Sequence, residues 1–298
     1  MAPPTVTVVV PAYAAARWIS ECLQSLRKVE YPPDKLEILI VDNESPDDTR
    51  KLAKKEGFEP LVCRRRGVSA ARNCGIECAG GEIIAFLDTD AVADPDWLVH
   101  LVEPFRDPEV AGVGGKIDPY SIETGPEIHA RYCHLLDQEK HLAGEPPYML
   151  PFAATANAAY RAAALREVGG FDETFAIGED ADLAWRVQWA GHKLAYAEKA
   201  RVRHHHRSRR GPYFRQMFSY GEGTAHLFAK HRRRLGRRVW IGWNHFGAMA
   251  LALLHAPVMP FTAPQPWDRV MPLYDVVSGL FWTAGRIAGA IRHRVLVI

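Results

Sequence analysis

Two largely apolar runs that are continuous and not alternating, residues 5–10 (TVTVVV) and 36–41 (LEILIV), constrain the fold of this chain more than any other feature. A strand with one solvated face alternates apolar and polar residues, whereas a continuous β-branched run suits a strand covered on both faces, as in a parallel sheet. Between the runs, Ile19, Cys22, Leu23 and Leu26 recur at three- and four-residue spacing, which predicts an amphipathic helix. The rhythm continues with a helix after Ser45, which Ser45 or Asp47 could cap, a helix over 69–78 and a strand over 83–87. The fold class is therefore α/β, of doubly wound type. Beyond Pro95 the pattern predicts a short helix, strands over 110–117 and 152–160, a helix over 179–189, and a last strand from 193 to about 202 that runs into His204, His205 and His206.

Composition enters through charge. With 48% apolar and 24% charged residues the chain is ordinary for a globular protein, which argues against a disordered, collagenous or wholly membrane-embedded one. The net charge of +2 hides an asymmetry: residues 1–198 hold 20 Lys and Arg against 32 Asp and Glu, and residues 199–298 hold 17 against 3. Residues 199–238 carry 13 of these cations and one acid, Glu222. Residues 246–261 are nearly uncharged but broken by Pro257 and Pro260, short of the ~20 apolar residues a spanning helix needs. Residues 275–294 place Val276, Val277, Leu280, Phe281, Ile287 and Ile291 on one side and end in Arg292 and Arg294, with Arg286 before them. That is the profile of an interfacial helix, and equally of a helix in an ordinary packed subdomain. The five cysteines, Cys22, Cys63, Cys74, Cys78 and Cys133, are too few and too oddly numbered for a disulfide framework and include no CxxC pair, so unpaired thiols in a reducing compartment are expected. The first residues lack a basic n-region and read as a buried first strand.

Chemistry-bearing residues gather where predicted strands end. In open parallel sheets the carboxyl ends of strands face the ligand crevice. Asp42, with Asn43, follows the second run, although Asp42, Asn43, Ser45 and Pro46 together also make an ordinary turn. Asp88 and Asp90 follow residues 83–87; at i and i+2 on extended backbone they point to one side and offer hard oxygen ligands for Mg²⁺ or Mn²⁺. Glu179, Asp180 and Asp182 crowd the start of a helix, where acids complement the dipole and where mutual repulsion raises a pKa toward that of a general base. One imidazole of the His204–His206 run could complete a metal site begun by two carboxylates. The segment GVGGKI from Gly112 lacks both the third glycine of a dinucleotide fingerprint and the spacing of a phosphate loop; GxSxG and HExxH are absent. Dehydrogenases, P-loop enzymes, α/β-hydrolases and zincins all lose support.

Taken in order, PAYA at 11–14, VDNESPDDT at 41–49, RGVSAARNCGIECAGGEIIAFLDTDA at 66–91, GGFDETF at 169–175, GEDADLAWR at 178–186 and VRHHHR at 202–207 resemble the inverting glycosyltransferases of family 2 over roughly residues 5–225. The resemblance implies the GT-A fold, a Rossmann-like mixed sheet flanked by helices. Its expected divisions are a nucleotide-sugar-binding half over 1–115, an acceptor-binding and catalytic half over 116–210, and a basic then apolar helical region over 211–298 that associates with membrane. It implies that Pro11, Tyr13 and Asp42 hold the nucleoside, that Arg72 approaches the diphosphate, that Asp88 lies against ribose and metal, and that Asp90 ligates the divalent ion, Mn²⁺ or Mg²⁺. Asp180 would be the base that deprotonates the acceptor hydroxyl, supported by Glu179, and His204 an additional metal or diphosphate contact with His206 as the fallback. Ala14 stands where the family often has Asn, and Glu44 where Gly is common. The implied partners are a nucleoside-diphosphate sugar, a glycan or lipid-linked acceptor and an anionic membrane surface, with no nucleic acid, at the cytoplasmic face of the cell membrane. The alternatives are an inactive sugar-nucleotide-binding module and a nucleotidyltransferase.

Overall fold

In a computed structural model of the chain, which describes residues 3–133, 135–144, 149–236, 239–240, 247, 250–251, 254 and 271–297, the two apolar runs become β1 (Val6–Ala12) and β2 (Leu36–Asp42). They pair in parallel, Val8 opposite Ile38 and Ala12 opposite Asp42. On either side β2 pairs with β3 (Leu61–Val62), and β1 with β4 (Ile83–Leu87), again in parallel. The remaining strands are β5 (Ala91–Ala93), β6 (Val110–Pro119), β7 (Asn157–Arg161) and β8 (Lys193–His204). The sheet has eight strands in the order β3-β2-β1-β4-β7-β6-β8-β5, with β7 antiparallel to both its neighbours and β5 antiparallel to β8.

Helices cover both faces, which is why β1 needs no polar alternation. Val8 and Val10 join a core with Leu23 of α1 (Ile19–Leu26) and Trp97 and Leu101 of α4 (Trp97–Val102). Val9 faces the other way, into a core with Phe86, Tyr160, Ala71 of α3 (Val68–Cys78) and Leu183 and Val187 of α8 (Glu179–Trp189). Each such large side chain contributes about 1.5–3 kcal/mol by leaving water. Shorter helices are α2 (Thr49–Lys55), α5 (Gly125–Tyr132), α6 (Gln138–Leu142) and α7 (Ala162–Glu167).

Three expectations change. The strand expected over 152–160 is confined to β7, because the preceding backbone is claimed by side chains: Trp185 Nε1 donates to the Leu150 carbonyl, Gln188 Nε2 to that of Pro151, and Gln138 bonds both the N–H and the carbonyl of Ala154. The last strand runs on to His204 because β5 pairs with it. The cysteines are not all unpaired: Cys63, just past β3, is bonded to Cys74 in α3, eleven residues away, a local staple that a search for a framework overlooks.

The chain divides into two compact units, residues 1–120 with 136–205, and residues 121–135 with 206–298. The first contains the eight-stranded sheet. The second contains α5, α9 (Arg210–His231), α10 (Met271–His293) and the two-stranded pair β9 (Val239–Trp240) and β10 (Leu296–Val297). In it α9 and α10 pack through glycines: a Cβ on Gly285 would lie 1.9 Å from the Phe218 carbonyl oxygen, and one on Gly221 2.1 Å from that of Trp282. His129 of α5 is buried between Tyr213 Oη at 2.6 Å and Asp275 Oδ1 at 2.9 Å. Burial disfavours the imidazolium, but Asp275 and Cys133 together more than offset it and lift its pKa to about 9. Met271 and Tyr274 of α10 are buried, but its Leu and Ile side chains turn away from the glycine face, so Leu273, Leu280, Ile287 and Ile291 are exposed. Most of the apolar stretch 246–261 lies outside the described residues. Among the described residues, no helix is long and apolar enough to cross a membrane.

Candidate active site

The site forms in the first unit where β1, β2 and β4 end. Pro11 is buried in β1, and Tyr13, just beyond, is 64% exposed. Asp42, the last residue of β2, is fully buried: its Oδ2 accepts from Arg50 Nε at 3.0 Å and Nη2 at 2.8 Å, and its Oδ1 from the Ser45 N–H at 3.3 Å. Asn43 binds the carbonyls of Cys63 and Arg65 and the Gly67 N–H, fixing the loop that leads into α3. Ser45, Asp47 and Thr49 accept from the N–H groups of Ala14, Ala16 and Ala15, which ties the loop after β1 to the start of α2. Two residues in these loops, Ala14 and Glu44, have left-handed backbone with φ of 49° and 58°. These are the positions where Asn and Gly are the usual family residues, and both tolerate that conformation better than Ala or Glu.

Asp88 and Asp90 occupy the turn between β4 and β5. Because β5 pairs antiparallel with β8, Ala91 lies opposite His204, and this places His204 Nε2 3.1 Å from Asp90 Oδ1. Asp88, Asp90 and His204 each offer a ligand atom within 4.8 Å of the others. Two partly covered hard carboxylates and one buried imidazole fit a divalent ion such as Mn²⁺ or Mg²⁺ that keeps positions open for phosphate oxygens. His206, the fallback, is not in this group.

Arg72 of α3 is 3% exposed and spans two carboxylates, with Nη2 3.0 Å from Asp88 Oδ1 and Nη1 2.7 Å from Glu179 Oε1. Its guanidinium also lies over the Phe171 ring, 5.5 Å from its centre. In this state the arginine aligns the site's acids. The three acids at the start of α8 separate accordingly. Glu179 pairs with Arg72, and Asp182 pairs with Arg186 one turn on, at 2.8 Å from Nε. Asp180 forms no ion pair among the described residues and accepts only from the Ala181 N–H at 2.8 Å. Burial first, and the neighbouring Glu179 charge second, push its pKa up to about 7, against the opposing pull of Arg72. That is where a general base works best near neutral pH.

Comparison with known proteins identifies the family. The family model described as Glycosyl transferase family 2 matches residues 7–169, more than half of the chain. The chain belongs to glycosyl transferase family 2. Among curated members, the pre-mycofactocin glycosyltransferase of Mycobacterium tuberculosis is 33% identical over 238 residues, covering 76% of this chain and 48% of that protein, so the chain spans about half the length of that relative. The succinoglycan biosynthesis protein ExoA of Rhizobium meliloti is 28% identical over 93% of this chain and 92% of its own length. Among solved structures, the mannosyltransferase PcManGT from Pyrobaculum calidifontis, in complex with GDP-Man and Mn²⁺, superposes with a TM-score of 0.70 at 20% identity, over 96% of this chain and 87% of that one. This likeness shows the fold: the mixed sheet with flanking helices is that of the GT-A glycosyltransferases.

Residue-level reading of the family 2 motifs missed three features of the site. The Arg50 partner of Asp42 lies eight residues on, the Phe171 ring under Arg72 comes from the GGFDETF segment, and a ring cluster of Trp18, Tyr120 and His205 stands beside the metal-ligand group. A carboxylate at a strand end followed one helical offset later by Arg is a usable signal for the first. The other two bring together residues about a hundred or more positions apart, and no local pattern carries them.

Proposed function

We propose that this chain transfers a sugar from a nucleoside-diphosphate sugar to an acceptor hydroxyl with inversion at the anomeric carbon. The observation that carries the proposal is the pairing, in one unit, of a divalent-ion ligand set with a nearby half-buried acid, Asp180, of pKa about 7. Asp90, Asp88 and His204 would hold the ion, which supplies charge neutralisation to the leaving diphosphate. Pro11, Tyr13 and Asp42 would line the nucleoside site at the ends of β1 and β2. Because Asp42 is already engaged by Arg50, it would act there mainly by shaping the loop. Arg72 holds Asp88 and Glu179 in register and adds positive charge beside the diphosphate. Asp180, supported by Glu179, takes the proton of the incoming hydroxyl as that oxygen attacks the anomeric carbon from the face opposite the departing diphosphate. One displacement without a covalent intermediate inverts the centre.

The acceptor we propose is a glycan or a lipid-linked sugar in cell-surface polysaccharide or glycolipid synthesis, in keeping with the succinoglycan relative. Two further observations support work at an anionic membrane surface: the excess of 17 Lys and Arg over 3 Asp and Glu in residues 199–298, and the exposed Leu273, Leu280, Ile287 and Ile291 along α10. The test of the reaction is incubation with a panel of UDP-, GDP- and dTDP-sugars, Mn²⁺ and lipid-linked acceptors, with NMR of the product. A new glycosidic bond of inverted configuration supports the reading, and retention of configuration or nucleotidyl transfer contradicts it.

A further inference from the structure

Beside the metal-ligand group stands a cluster that the proposed chemistry leaves unused. The ring of His205 is sandwiched between Trp18, with centroids 4.1 Å apart and planes at 20°, and Tyr120, at 3.8 Å and 26°. The Arg17 guanidinium lies 4.0 Å from the centre of the Trp18 ring, and that of Arg203 5.5 Å from the Tyr120 ring. Glu21 of α1 gathers the polar edges: its Oε1 accepts from Tyr120 Oη at 2.5 Å, and its Oε2 lies 3.0 Å from His205 Nε2. Aromatic layers of this kind lose few rotamers on ordering and resist shear, so they suit a brace.

The cluster is wired into the ligand set through main chain. The His205 N–H donates to the Asp90 carbonyl at 2.8 Å, and the Tyr120 N–H donates to the His204 carbonyl at 2.8 Å. Cys22, next to Glu21, donates its thiol to the Asp88 carbonyl at 3.7 Å. All three candidate ligand residues, which come from two stretches of chain more than a hundred residues apart, thus have their carbonyls held by members of the cluster or by the adjoining residue of α1. His205 itself follows a ligand directly on extended backbone, so its side chain points away from the one His204 presents.

We propose that the Trp18, His205 and Tyr120 stack, closed by Glu21, is a clamp that sets the spacing of Asp88, Asp90 and His204 for a divalent ion, and that His205 is a positioning residue and not a ligand. The proposal rests on the metal-site reading above. Outer groups that orient ligands commonly change metal affinity by about 10- to 100-fold when removed, and the clamp acts on main chain at two points, with Cys22, beside Glu21, holding a third.

The test is Mn²⁺ binding to the full chain without nucleotide, followed by the EPR signals of free and bound ion, with thermal melting in parallel. His205→Ala and Trp18→Ala are expected to weaken Mn²⁺ binding by about 10-fold or more and to broaden the bound-ion spectrum, while His205→Phe, which keeps the sandwich, restores affinity to within about threefold. If His205→Ala fails to fold, Trp18→Ala, at a half-buried position, gives the answer alone. Wild-type affinity in either alanine variant overturns the clamp, as does a His205→Phe protein as weak as His205→Ala. An Asp90→Asn protein that binds Mn²⁺ like the wild type overturns the metal site and this proposal with it, whereas a wild-type site that depends on Asp90 but ignores the stack overturns the clamp alone.

Discussion

Of the acids that open α8, Glu179 and Asp182 are neutralised by arginines, and Asp180 is left with burial and a like charge for neighbours. Its carboxyl therefore holds its proton until about pH 7, and only the ionised form can take one from an acceptor. The limiting transfer rate should rise about tenfold per pH unit below that value and level off above it. Asp180→Asn should lose about a hundredfold or more and show no such limb, while donor affinity holds. The sign for stability is the reverse: a carboxyl whose pKa is raised by folding weakens the fold as pH climbs from the ordinary aspartate range to about 7, so Asp180→Asn should melt higher than the wild type at pH 8. Glu44 offers a second residue-scale check. Its left-handed φ of 58° costs a residue with a Cβ about 1 kcal/mol, and Glu44→Gly should recover much of that in a denaturation midpoint. Asp88, Asp90 and Asp180 were legible in the sequence because chemistry collects at strand and helix ends. The pairing of Arg72 with Asp88 and Glu179 was not, since it joins residues 16 and 107 positions apart whose meeting only the folded sheet decides.

At the scale of elements, the predominantly apolar strands β1, β2 and β4 pair in parallel and could be read from the chain, whereas β8, rich in charged residues, pairs in parallel with β6 without that signal. The short helices α5 and α6 could not be read as easily, although α5 begins with Thr124 and Glu127 in a capping box that is a recognisable signal. The packing of α10 inverts its apparent amphipathicity. Large apolar residues normally mark the buried face of a helix, but here glycines admit the backbone of α9, and Leu273, Leu280, Ile287 and Ile291 point outward. Gly285→Ala, whose Cβ would overlap the Phe218 carbonyl, should destabilise this pair by about 1–3 kcal/mol, seen as faster hydrogen exchange in α9 and α10. His129 adds a pH dependence. Its imidazolium is held by Asp275, so the stability it contributes is fully present below about pH 6.5 and is lost as pH rises through about 9. Asp275→Asn should reduce that alkaline loss, measured as the slope of the melting temperature between pH 7 and 10.

For the whole molecule, the charge asymmetry and the exposed face of α10 are what the proposed anionic surface would meet. Full-length protein should sediment with vesicles of increasing anionic lipid content, more weakly at high salt, and Leu280→Asp with Ile287→Asp should reduce recovery without altering the fold, because both side chains are already exposed. Equal recovery of the double variant would assign α10 to other work. The eight-stranded sheet, Asp88, Asp90, His204 and Asp180 lie together in the first unit, so the proposed nucleotide-sugar chemistry can be tested apart from any surface. The most direct measurement is calorimetric titration of UDP, GDP and dTDP into wild type and Asp90→Asn, each with Mn²⁺ and with a chelator. At least one nucleotide should bind the wild type with Mn²⁺ at least tenfold more tightly than with the chelator, and Asp90→Asn should abolish that difference; equal affinity in all four conditions would contradict a metal-dependent donor site built on Asp88, Asp90 and His204.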